Sequence, residues 1–124
     1  MQNTICIDGV IFQKINERAF KKLDLSEILF VMISQSGVVD WRGTVYIFTP
    51  TAAFLMDKED YNDGFLDELF LFVSEWNSVN VYFCDFVIIR PDIYDSFVRE
   101  LCARNLPFFW FDTAIEVYKI KYCD

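Results

Sequence analysis

The 124-residue chain contains no histidine. That absence removes the commonest general base, the usual activator of nucleophiles and the commonest zinc ligand together. The four cysteines, Cys6, Cys84, Cys102 and Cys123, are widely scattered and form no C-x-x-C pair, which argues against a structural zinc site. Cys84 and Cys102 lie in apolar stretches and read as small buried hydrophobes of a reducing compartment. Glycine and proline are sparse, with 4 and 3 residues, and no Gly-rich phosphate loop follows any expected strand. Uninterrupted apolar runs fall far short of the roughly 18 residues that would indicate a membrane span. The opening MQNTICIDGV lacks the basic start and long apolar run of a signal peptide. Cations are few as well: 11 Lys and Arg against 19 Asp and Glu give a net charge of −8 and a pI near 4.4. Such a field repels phosphate backbones and anionic lipid while attracting basic proteins. The expectation is a cytoplasmic domain with no cofactor, no metal, no direct nucleic-acid binding and no membrane contact.

What the chain has in abundance is apolar and aromatic side chains, at 54% and 19%, including 14 Phe, 6 Tyr and 3 Trp. Either the core is unusually aromatic or some rings stay outside for a partner. The length fits one domain, residues 1–124. TICID (4–8) and VIFQKI (10–15) read as two strands joined at Asp8-Gly9, a turn dipeptide. From Asn16 to Ser36 the pattern reads as helix, because Asp24-Leu25-Ser26-Glu27 has capping-box spacing and Gly37 suits a C-terminal cap. ILFVMI (28–33) within it also fits a buried strand. TVYIFT (44–49) reads as a strand ended by Pro50, and AAFLM as one helical turn. Leu66, Leu69, Phe70, Val73 and Trp76 recur at helical spacing, which predicts a helix over 63–77. Asn80–Ile89 is a nearly continuous apolar run of the kind found in central strands. A helix follows, with Asp92 as its N-cap and Pro107 as its stop, and then strands over 108–111 and 114–122. The middle of the chain thus reads as two βαβ units with parallel strands, flanked by antiparallel strands at the termini. The expected fold is α/β, a mixed sheet with helices packed on it.

The segment MDKEDYNDGFLDELF concentrates charge: Asp57, Glu59, Asp60, Asp63, Asp67 and Glu68 face only Lys58. An EF-hand loop anchored on Gly64 would run over 59–70, with Tyr61 at its third position and Phe70 where the bidentate Glu must stand. Two ligand positions are wrong, so calcium binding of that type is excluded. Asp63, Asp67 and Glu68 suit the first turns of a helix, where carboxylates are favourable by roughly 0.3–1 kcal/mol each. Asp57, Glu59 and Asp60 lie upstream and repel their neighbours. They are either a solvated face or, with Tyr61, a surface for a basic partner.

Other positions are weaker candidates. Asp85 interrupts an apolar strand, where an unpaired carboxylate is costly unless solvent or an arginine reaches it. Thr49, Thr51, Arg90, Asp92, Asp112 and Thr113 fall at expected strand ends, the usual ligand side of open α/β sheets. Trp41, beside Arg42 in a polar connection, either packs back on the core edge or anchors a partner.

In size, in net charge and in the DKEDYNDGFLDE stretch, the chain resembles the immunity proteins that protect bacteria against colicin-type and contact-dependent inhibition toxins. The resemblance implies a stoichiometric antitoxin with no catalytic residues. Such a protein binds and neutralises a basic toxin domain, such as a nuclease. The local charge and the hot-spot residue types, rather than any family motif, make Asp57, Glu59, Asp60, Tyr61, Asp63, Asp67, Glu68 and Trp41 the expected partner-binding residues. Two alternatives belong to other classes. One is a homodimeric adaptor whose surplus aromatics form its interface. The other is a metal-dependent hydrolase built on Asp85, Asp92 and Asp112.

Overall fold

A computed structural model describes residues 3–7, 9–34, 43–80, 86–103 and 110–122. Its centre is a mixed seven-stranded sheet, so the α/β class holds. The strands are β1 (Thr4–Ile7), β2 (Val10–Lys14), β3 (Phe30–Ser34), β4 (Thr44–Phe48), β5 (Ala53–Met56), β6 (Asn77–Asn80) and β7 (Phe86–Ile89). Their order across the sheet is β1-β2-β5-β4-β3-β7-β6. Four helices accompany them: α1 (Glu17–Phe20), α2 (Asp63–Phe72), α3 (Pro91–Ala103) and α4 (Trp110–Tyr122).

The β1–β2 hairpin forms as its sequence predicts, with Ile7 opposite Val10 and Gly9 at φ 87° in the turn. That φ favours glycine because a β-carbon there would meet the following carbonyl. Among the described residues only β2–β5 is a parallel pair; β5, β4, β3, β7 and β6 pair antiparallel in that order. The expected βαβ units with adjacent parallel strands are therefore corrected to a meander. The chain of pairings still points β5 and β6 the same way, with α2 crossing between them.

Three further expectations are corrected, each because a short apolar run satisfies two periods until packing decides. Residues 30–34 are strand, not helix. Phe30 and Met32 enter one buried cluster while Val31 and Ile33 enter the other, as a strand covered on both faces requires. The Asp24 signal is genuine but caps only a 3-10 turn over Leu25–Glu27, where its Oδ1 accepts from the Ser26 backbone N–H at 3.1 Å. Residues 53–56 are likewise strand: Ala53 and Leu55 face one cluster, and Met56 the other. Thr49 prepares this hairpin, since its Oγ1 donates to the Ala52 carbonyl at 2.9 Å and accepts from the Ala52 N–H at 3.0 Å around Pro50-Thr51. Residues 114–122 belong to helix α4 rather than to an edge strand. Ala114, Ile115, Val117 and Tyr118 cover the sheet, while Glu116, Lys119 and Lys121 stay exposed. The proposed strand over 108–111 falls partly outside the described residues, and 110 and 111 are helical.

Two cores result, one on each face of the sheet. The first lies between the sheet and α3–α4 and is rich in rings: Phe30 stacks on Phe48 at 4.3 Å, with Phe97 at 4.6 Å from Phe30 and Tyr118 at 4.9 Å from Phe48. Such pairs contribute about 0.5–1.5 kcal/mol each beyond area burial. The second lies under α1, the 3-10 turns and α2, where Phe20, Tyr61 and Phe65 meet Ile28, Val31, Ile47, Leu66, Leu69 and Val73. Most described aromatic residues are thus spent inside. Among the described residues, no helix is long and apolar enough to cross a membrane.

Candidate functional site

The acidic segment sits on the second face, between the end of β5 and α2. Residues Lys58–Asp60 form a 3-10 turn, and the Asp57 backbone N–H donates to Asp60 Oδ2 at 2.9 Å across it. Lys14, at the end of β2, reaches the same turn: its Nζ lies 3.3 Å from Asp57 Oδ2 and 3.8 Å from Asp60 Oδ2. The hydrogen bond to Asp57, and then the charge of Asp60, push the Lys14 ammonium above its ordinary value. Two of the six carboxylates are therefore matched by a cation that the sequence places 43 residues away, on a strand that pairs in parallel with β5.

Tyr61 is only 3% exposed, and its hydroxyl donates to the buried Gly43 carbonyl. Its ring lies 5.4 Å from that of Phe65, so it braces the second core and offers no surface to a partner. The Asn62 backbone N–H, at the entry to α2, donates to Glu17 Oε1 of α1. Asp63 opens the helix. Glu59, Asp67 and Glu68 are exposed, and no ion pair joins them to a cation among the described residues. Trp41 lies outside the described residues. The eight candidates thus separate: Asp57 and Asp60 fasten a turn, Tyr61 fills the core, and Glu59, Asp67 and Glu68 project charge outward.

A cleft of about 600 Å³ runs between α1 and the acidic turn, with Arg18, Lys21 and Lys22 along one wall and Glu59 and Asp60 along the other. Its polarity is mixed. The outer surface of α2 differs. Leu66, Leu69 and Val73 point into the core, whereas Leu71 is 76% exposed, Phe70 38% and Phe72 39%. Phe70, although it shares the helical spacing of Leu66, Leu69 and Val73, is therefore not buried with them. The signal was present in the sequence: five consecutive apolar residues, Leu69–Val73, advance about 100° each along a helix and must put at least one on its solvent side. Glu75, just beyond the helix end, is exposed as well.

The remaining candidates are dispersed. Asp92 is in the first turn of α3 rather than at its cap, and Arg90 Nε donates to its Oδ1 at 2.6 Å. This bond holds the Asp92 carboxyl below its ordinary value. The same guanidinium donates to the Ser26 carbonyl at 2.8 Å, so Arg90 acts as a clamp between elements. Asp85 lies outside the described residues, and of Asp112 only the helical backbone is described. Among the described residues no group of three or more Cys, Asp or Glu side chains is placed to hold a metal ion. Thr49 is buried and occupied by its turn and by the Tyr118 hydroxyl, which donates to its carbonyl at 2.6 Å. Cys6 is a free, exposed thiol on β1. A scan against protein-family models and searches of curated proteins and of solved structures each return no match.

Proposed function

We propose that this domain is a stoichiometric protein inhibitor of the immunity type, which binds a basic toxin domain through an acidic surface and performs no chemistry of its own. The observation that carries the reading is the exposed charge of Glu59, Asp67 and Glu68, which no ion pair among the described residues matches, beside the exposed apolar residues of α2. A rigid sheet bearing such a face steers a cationic partner at long range, and the apolar residues hold it once contact is made. The acidic surface is smaller than the sequence implies, because Lys14 compensates Asp57 and Asp60.

The test is recovery of a one-to-one partner with the tagged chain from its native host, followed by titration of that partner's activity. The reading expects a basic protein whose toxic activity falls to zero at equimolar inhibitor. An acidic partner, or activity that persists in excess inhibitor, contradicts it.

Self-association is the second reading, and β1 is the observation that favours it. This edge strand carries no charged residue and no proline, Thr4, Ile5 and Cys6 are exposed, and Ile11 on the paired strand is 63% exposed. Natural edge strands are usually protected by such residues.

A further inference from the structure

We infer that the outer face of α2 and the apolar cleft beside it form the docking surface for a basic partner that inserts one apolar side chain; this deepens the inhibitor reading above and rests on it. Leu71 stands on the side of the helix opposite Leu66, Leu69 and Val73 and is 76% exposed. Carboxylates flank it: Asp67 and Glu68 lie four and three residues before it on the same helix, and Glu75 lies just beyond the helix end, all exposed. On one flank Phe72 sits with its ring 5.6 Å from that of Trp76. Phe72 also walls an apolar cleft of about 200 Å³ whose other sides are Phe20, Leu25, Phe65 and Leu69. Lys21 and Glu68 stand at its edges.

A lone exposed leucine is ordinary on a protein surface. Here three adjacent large apolar residues are exposed, and the last of them, Phe72, walls a cleft that admits a side chain of leucine or phenylalanine size. Asp67, Glu68 and Glu75 lie around the exposed face, with Lys21 at an edge of the cleft. That is the anatomy of a binding hot spot, an apolar centre inside a polar ring. Charge selects the occupant. Asp67, Glu68 and Glu75 form no ion pair among the described residues, and a second copy of a chain with net charge −8 would set like charges against them. A partner with lysine or arginine around its apolar anchor meets the ring favourably.

The experiment uses the full chain, isotope-labelled for NMR, and three synthetic helical peptides. The first places leucines along one face and lysines along the other. The second replaces its leucines by alanine, and the third replaces its lysines by glutamate. The lysine–leucine peptide is expected to shift signals of residues 65–75 and 20–25 saturably. Leu71→Ala in the protein, or alanine in the peptide, should weaken binding about tenfold, or about 1.4 kcal/mol. Because Leu71 is exposed, Leu71→Ala should retain the melting temperature of the parent. Shifts confined to another face, unchanged affinity in Leu71→Ala, or no binding by any peptide overturns the docking site. The basic-partner reading fails separately, if the glutamate peptide binds as well as the lysine one.

Discussion

Lys14 Nζ lies 3.3 Å from Asp57 Oδ2, and this pair divides the acidic segment into a structural half and an exposed half. The lysine comes from β2 and the aspartate from the loop after β5, so the contact fastens the one parallel strand pair at its end. Exposed ion pairs of this kind contribute little individually. The turn they hold also relies on the Asp60 carboxylate accepting from the Asp57 N–H.

Joint substitution Asp57→Ala and Asp60→Ala therefore tests stability rather than recognition. Loss of the turn's hydrogen bond and of the Lys14 contact should lower stability by about 0.5–2 kcal/mol. Partner affinity should change less than threefold. Denaturant melts and a binding titration on the same variant check both parts; a large loss of affinity at unchanged stability would return these acids to the interface.

Tyr61→Phe and Tyr118→Phe each remove a hydroxyl that satisfies a buried carbonyl, that of Gly43 and of Thr49 respectively. An unsatisfied buried acceptor costs about 1–3 kcal/mol. Both variants should melt earlier with partner binding intact, as read by urea unfolding and by titration. A Tyr61→Phe protein of parental stability but weakened binding would contradict the placement of that ring.

Alkaline pH should weaken the fold through two groups. The Asp57 hydrogen bond and the Asp60 charge raise the Lys14 pKa above 10.5, and burial raises the Tyr122 pKa above 10.0. Groups raised on folding contribute stability that is complete below their unfolded pKa and lost as pH climbs through the folded one. Urea midpoints should fall between about pH 9 and about pH 12, and the double variant Lys14→Met with Tyr122→Phe should show a shallower decline. Parallel profiles for parent and variant would remove these two groups from the account.

The free chain should sediment as a single species of 14.7 kDa, since the inhibitor reading awaits a different partner. Ile5→Lys, which places a charge on the bare β1 edge, should leave that mass unchanged and alter stability by less than about 0.5 kcal/mol. A doubled mass that Ile5→Lys abolishes would transfer the interface to β1.

The hairpin at Asp8-Gly9, the 44–48 strand, helix α3 and the start of α2 were legible because local signals and packing agree there. The helix expected over 63–77 ends at Phe72. Of the single strand expected over Asn80–Ile89, Asn80 belongs to β6 and Phe86–Ile89 to the antiparallel β7, with 81–85 outside the described residues. The runs at 28–33 and 114–122 were not legible, because their apolar residues satisfy a strand and a helix equally. Which period wins depends on which sheet face needs cover, a fact held by distant segments. Phe30–Ser34 became β3, between β4 and β7 in the antiparallel run, and Ala114–Tyr122 became a lid over Phe30 and Phe48. The acidic segment was visible as charge, but its division was not, since nothing in residues 57–68 announces Lys14. Leu71 is legible from the five-residue apolar run Leu69–Val73, which is too wide for one buried stripe.

The most direct test of the central claim is the association rate with the captured partner, measured by stopped flow at low and at physiological salt. The account predicts a fall of at least about tenfold as salt rises, because screening removes the steering field. It also predicts that neutralising Glu59, Asp67 and Glu68 to their amides slows association at low salt and flattens the dependence. An association rate indifferent both to salt and to those three substitutions would contradict it.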